Sequence, residues 1–309
     1  MSRYLVTGGA GFLGSHLVDD LLRSGHQVVV LDDLSSGLRQ NLSDGAEFIL
    51  GDVTDRDILA SAFEHIDGCF HLAAIASVER CTQDWVRSNQ VNLTGTINVF
   101  DQARRRPDPI PVVYASSAAV YGDSRCTPIS EDAPTMPLSG YGADKFASEL
   151  QARIAGRIYG LPTVGLRFFN LYGPRQDPRS PYSGVISIFC ERIRRNAGID
   201  IFGDGGQTRD FVYVADVVAA LLAAMRLAPT DAPVFNVCTG VATSVLELAQ
   251  TIADLAGTRL DARHRPPRAG EIRDSTGSPA ASHAALGLVA PVRLRDGLRA
   301  VLDWLDASG

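Results

Sequence analysis

Lysine is almost absent from this chain of 309 residues: of 29 basic residues, 28 are Arg and one, Lys145, is Lys. Alongside abundant Ala, that bias is the mark of a genome rather than of a function. It has filled solvated positions with Arg, so the one remaining Lys asks for a task that a planar guanidinium cannot perform. Cysteine is sparse too. Cys69, Cys81, Cys126, Cys190 and Cys238 are scattered, odd in number and without metal-ligand spacing, which argues against a disulfide scaffold or a metal site and for free thiols in a reducing cytoplasm. No segment approaches the ~20 apolar residues of a membrane span, and no signal-peptide pattern precedes the first apolar run, Tyr4-Leu5-Val6. An excess of positive charge is also missing. The formal charge of -6 and pI near 5.5 disfavour nucleic acid and anionic membranes as partners. There is no internal repeat and no low-complexity linker.

What the sequence does contain is an alternation of short apolar runs and helical patterns. Tyr4–Val6, Val28–Leu31, Glu47–Leu50, Gly68–Leu72, Val112–Ala115 and Thr163–Phe168 read as buried strands. Helices are expected between them at Gly14–Ser24, Asp55–Glu64, Gln90–Arg105 and Tyr141–Ile158. Short apolar strands joined by helices predict an α/β fold with a doubly wound parallel sheet, ligands sitting at the carboxyl ends of the strands. The alternation stops after Asn170. Residues 1–169 are therefore expected to form a dinucleotide-binding Rossmann domain to which about 210–240 return, and 170–209 with 241–309 a smaller, interwoven α/β substrate lobe.

Gly8, Gly11 and Gly14 follow the first strand at G-x-x-G-x-x-G spacing and open a helix. That arrangement lets a pyrophosphate sit on a helix N-terminus. Asp32 and Asp33 end the second strand, where a carboxylate suits the ribose diol of NAD and repels the extra phosphate of NADP. Asp52 and Val53, after the third strand, are placed at the adenine edge. Tyr141 and Lys145 are four apart and share a helix face. An ammonium there favours phenolate, lowers the phenol pKa and makes Tyr141 a general acid or base. Ser117, at the end of the fifth strand, can hydrogen-bond the reacting hydroxyl, with Ser116 beside it.

Together with His71-Leu72-Ala73-Ala74, Asn92, Arg167-Phe168-Phe169-Asn170 and Gly203–Val217, these residues resemble the extended short-chain dehydrogenase/reductase family, most of all its UDP-glucose (UDP-galactose) 4-epimerases. The resemblance runs from about Tyr4 to Trp304. It implies a tightly held NAD, bound also by Phe12, Leu13, Ser36, Gly37, Leu72, Ala73, Ala74, Ala76, Asn92, Ser116, Tyr141, Lys145, Phe168 and Phe169. Tyr141 would take the 4-hydroxyl proton as hydride leaves C4, and the 4-keto sugar would turn over before hydride returns. The UDP-sugar would be held by Ser117, Tyr141, Asn170, Val185, Phe202 against uracil, Arg209 and Arg268 on the diphosphate, Glu271 and Ser275. Asp216 matches a family acid and reads as structural. A homodimer through a four-helix bundle is implied as well.

Sister activities fit less well. Dehydratases and UDP-glucuronate decarboxylases place acids after the catalytic Ser/Thr, where this chain has Ala118 and Ala119. A 3,5-epimerase/reductase needs a second acid there, and NADPH enzymes sit poorly with Asp32. A small Ser275 in place of a bulky Tyr leaves room for an N-acetyl group. UDP-glucuronate stays open through Arg175, Arg179 and Arg192. A non-catalytic dinucleotide sensor would lack the Tyr or the Lys.

Overall fold

The six apolar runs form strands: β1 (Arg3–Thr7), β2 (Gln27–Asp32), β3 (Glu47–Leu50), β4 (Gly68–His71), β5 (Val112–Ser117) and β6 (Thr163–Phe168). A late strand, β7 (Val234–Val237), joins them. The structure is a computed structural model. It describes every residue except Pro107, 179–183, 268–271 and Gly309, with Ser308 described in its backbone alone. The strands lie in the order β7-β6-β5-β4-β1-β2-β3 and all pair in parallel.

Except at the edge strand β3, expected to be buried but with Glu47 and Leu50 exposed, both faces of the sheet are covered. Val6, Val28, Val30, Phe70, Val113 and Val164 pack against helix α1 (Phe12–Arg23) and helix Val214–Leu227. Leu5, Val29, Leu31, Cys69, Val112 and Tyr114 pack against Gly95–Ala103 and helix α2 (Gly140–Tyr159). Burial on both faces requires unbroken apolar runs rather than alternation, which is why the strands stood out. The winding reverses between β1 and β4, opening a crevice at their carboxyl ends.

The smaller lobe has its own core, in which Ile186, Phe189, Ile199, Ile201, Leu248, Ile252, Leu298 and Leu302 meet. Helix Val245–Ala256 shows why it belongs there. Val245, Leu248, Ala249, Ile252 and Ala253 form one buried stripe, Ser244 caps its N-terminus by accepting from Glu247 N at 3.1 Å, and Gly257 ends it at φ +65°. Two expectations shift. Helix Ala280–Leu286, expected with the small lobe, places Leu286 in the core of the large one, because its apolar face meets helix Val214–Leu227. The helix expected from Gln90 starts at Trp85 and runs as Trp85–Asn89, a π-helical turn at Gln90–Thr94, and Gly95–Ala103.

Candidate active site

The turn after β1 is shaped by what its glycines leave out. Gly8 has φ +71°, and a Cβ on it would stand 2.7 Å from Ala73 N; a Cβ on Gly14 would stand 2.1 Å from Gly8 O. Gly11 is the N-cap of α1 and no side chain caps that end, so its first-turn N–H groups are left for an anion.

The crevice beside this turn has a volume of about 630 Å³. Gly8, Gly11, Phe12, Leu13 and Gly14 line one stretch, Asp32, Asp33, Ser36, Asp52 and Val53 another. The loop after β4 adds Leu72, Ala73, Ala74 and Ala76. Ser116, Ser117, Tyr141, Lys145, Phe168, Phe169 and Asn170 line the remainder.

The Asp32 carboxylate accepts from Ala10 N and Leu34 N, each at 2.9 Å. Burial pushes it up against those two donors. Asp33 takes the N–H and hydroxyl of Ser35. At Asp52 burial is outweighed by the Thr54 N–H and the Arg87 guanidinium, which together hold the carboxyl below its usual range.

Two residues expected to touch the cofactor are not on the crevice wall. A Cβ on Gly37 would lie 2.8 Å from Asp32 Oδ1, so Gly37 lets the chain close over that carboxylate. Asn92 is buried and bonds both the N–H (2.8 Å) and the carbonyl (3.2 Å) of Ile75, fixing the loop that lines the crevice. Ser116 is on the wall, but its hydroxyl donates to Glu149 Oε1 at 2.5 Å.

Helix α2 starts at Ser139, whose hydroxyl accepts from Gly142 N at 3.1 Å. One turn in, Tyr141 and Lys145 face β5. Lys145 Nζ donates to Ala115 O at 2.8 Å and lies 5.8 Å from the centre of the Tyr141 ring. Ala119 N donates to Ser117 Oγ at 3.2 Å, and the Ser117 hydroxyl is hydrogen-bonded to the Tyr141 phenol. The three expected catalytic groups therefore converge.

The expected lowering of the phenol does not hold in the free chain. Burial pushes Tyr141 up to about 12, with Ser117 opposing. Burial also brings Lys145 down to about 8, with Asp144 opposing. The reason is that desolvation of the phenolate exceeds what a neighbouring hydroxyl restores.

A buried histidine behind the crevice went unrecognised beyond its motif. His71 pairs in register with Thr7 across β4 and β1. Thr7 Oγ1 accepts from Ala73 N (3.3 Å) and meets His71 Nδ1 (2.8 Å); His71 Nε2 meets Thr96 Oγ1 (3.0 Å), which donates to Asn92 O at 2.6 Å. Thr96 has spent its proton, so Nε2 carries the imidazole hydrogen and Nδ1 accepts from Thr7. Burial, and then Lys145, lower His71 to about 3, so it stays neutral. Polar residues facing each other at the ends of two apolar strands were the available signal. Asp210 was also missed. It is fully buried and gathers Thr239 N, Thr239 Oγ1, Gly240 N and Gly277 N. Asp216 accepts from Val292 N at 3.0 Å, consistent with a structural role.

Of the small-lobe candidates, Asn170 and Arg175 line this crevice, and Val185, Phe202, Arg209 and Ser275 are not on its wall. Val185 begins helix Val185–Arg194, and Phe202 ends strand Ile199–Phe202. Ser275 pairs in register with Arg209, which donates to Thr208 O at 2.7 Å. Arg268, Glu271 and Arg179 lie outside the described residues. Arg175 pairs with Asp19 through Nη2 at 2.7 Å while its Nη1 is buried without a hydrogen-bond partner, and Arg192 donates to Gly198 O at 2.7 Å.

Residues 4–238 match the NAD dependent epimerase/dehydratase family. The chain belongs to that family. It is 40% identical to a UDP-glucose 4-epimerase of Mycolicibacterium smegmatis, over 98% of each sequence. It superposes on the UDP-glucose 4-epimerase of Thermotoga maritima, solved with UDP-glucose, at TM-score 0.95 and 35% identity over 99% of each chain. The Thermus thermophilus UDP-glucose 4-epimerase, solved as a complex with NAD, superposes at 0.92 and 36%, over 99% of this chain and 100% of that one. NAD is the cofactor of this family, and the glycine-lined turn, open helix end and Asp32 fit it.

Proposed function

We infer that the protein interconverts the C4 epimers of a UDP-hexose through a 4-keto intermediate. The observation that carries this is the convergence of Ser117, Tyr141 and Lys145 on one end of a crevice whose other end suits a dinucleotide, with Ala118 and Ala119 where sister chemistries use acids. NAD, when bound, supplies the acceptor for the C4 hydride and a positively charged ring. Gly8, Gly11, Gly14 and Asp32 hold it. Tyr141 receives the proton of the 4-hydroxyl and later returns it. Ser117 orients that hydroxyl and supports the phenolate. Lys145, anchored on Ala115 O, adds its charge beside the phenol. UDP-glucose and UDP-galactose are the expected pair, in line with the relatives above. The small side chain of Ser275, on the strand beside Arg209, supports acceptance of the N-acetylated pair.

The test is incubation of purified protein, without added cofactor, with each UDP-hexose and identification of the products. Tyr141→Phe is expected to keep its NAD and lose turnover by about 10³-fold. Undiminished conversion by that variant refutes the reading.

A second copy of the chain is the proposed partner. Leu150, Ile154 and Ile158 stand at four-residue spacing on the outer side of α2, 41%, 46% and 64% exposed, and Ile97 on the neighbouring helix is exposed as well. Such a stripe suits a two-fold helix bundle. Sedimentation should show a dimer for the wild type and a monomer for Ile154→Arg; a monomeric wild type removes the proposal.

A further inference from the structure

Glu149 is fully buried on the face of α2 that carries Tyr141 and Lys145, eight and four residues before it. Its carboxylate is clamped from two strands. Ser116 Oγ (2.5 Å) and Arg167 Nε (2.9 Å) donate to Oε1, and Arg167 Nη2 donates to Oε2 at 2.7 Å. Ser116 immediately precedes Ser117 in β5, and Arg167 is its register partner in β6. The remaining guanidinium nitrogen donates to the Tyr121 hydroxyl (2.8 Å) and the Glu131 carbonyl (3.1 Å), and Tyr121 donates to Asn236 of β7 at 2.6 Å. One cation therefore ties α2, two strands and the segment leaving Ser117.

Stability does not account for this arrangement. Desolvating two charges costs about what their attraction returns, and apolar side chains of equal volume serve a core as well. What a bidentate ion pair adds is direction. A helix held by apolar contacts alone can turn or slide, and one residue of slide is about 1.5 Å. Misplacing a reacting group by about 1 Å costs on the order of 10² in rate.

We propose that Glu149, clamped by Ser116 and Arg167, is a positioning residue for the catalytic pair. It fixes the axial position and rotation of α2, and so sets the Ser117–Tyr141 hydrogen bond and the seat of Lys145 on Ala115 O. The proposal rests on the epimerase reading above, and wild-type turnover tests that reading first; an inactive wild type refutes the reading, not the clamp alone. With wild type active, Glu149→Gln is compared with the double variant Glu149→Leu/Arg167→Met. Glu149→Gln should lose both Tm and kcat. The double variant should regain Tm, retain NAD and keep KM within about twofold, while kcat stays about 10- to 100-fold low and its pH profile is displaced. Recovery of kcat together with Tm overturns the proposal. If the double variant does not fold, Ser116→Ala decides. A kcat about threefold to tenfold lower at unchanged Tm and NAD content supports the clamp, and an unchanged kcat overturns it.

Discussion

Between Gly8 and Lys145, the groups on the crevice wall come from the carboxyl ends of strands or the first turns of the helices that follow, and short hydrogen bonds hold them there. Phe202, Arg209 and Ser275 come instead from three short strands of the smaller lobe, next to segments of irregular chain. The first region is built on a sheet whose register leaves little freedom. The second is assembled from pieces whose relative placement depends on many weak local choices. On the proposed reading, cofactor geometry belongs to the fold's frame and sugar preference to what is attached to it.

The strongest way to break the comparison is Gly14→Ala. The added Cβ would meet Gly8 O at 2.1 Å, a backbone clash that no rotamer relieves, costing about 3 kcal/mol. Purified protein should carry no NAD, as read by absorbance after denaturation; a variant that keeps its cofactor contradicts the assignment of this turn. Leu248→Ala probes the other side. It opens a cavity in the small-lobe core, with a loss of about 3 kcal/mol seen in chemical denaturation, yet NAD content should match wild type. Loss of NAD there would show that the two regions are not separable.

His71 gives a smaller effect, confined to acid. The unfolded chain takes up a proton near 6.5, the folded one only near 3, so unfolding binds protons between those values and stability falls as pH falls through them. Above 6.5 the contribution is flat. His71→Gln keeps a donor and an acceptor, and should lower proton uptake on unfolding in that window by about one. Equal uptake in both proteins would mean that His71 is not held neutral. Smallest of all, Ser275→Tyr should shift preference from N-acetylated to plain hexoses by about tenfold, near 1.4 kcal/mol, leaving NAD content and Tm unchanged. An unaltered ratio of kcat/KM values removes Ser275 as a determinant.

What could be read from the sequence follows the same division. The strands, the glycine turn, Asp32 and the Ser–Tyr–Lys set were legible because each depends on residues within a few positions or on a helical repeat. The inward turn of Asn92 and the involvement of Ser116 with Glu149 were not, because they depend on partners 17 and 33 residues away. Arg167 within an apolar strand and Glu149 one turn after Lys145 were visible as anomalies, but nothing local paired them. The return of Ala280–Leu286 to the large lobe was hidden for a similar reason: a short amphipathic helix does not declare which core it faces. The raised phenol pKa escaped because spacing reveals a neighbouring charge but not the depth of burial that opposes it.

Lys145 offers one further use. As the sole side-chain amine of the chain, and with a proton affinity brought down to about 8, it presents a measurable fraction of free base near neutrality. A small acylating reagent that reaches the crevice would mark a single interior address.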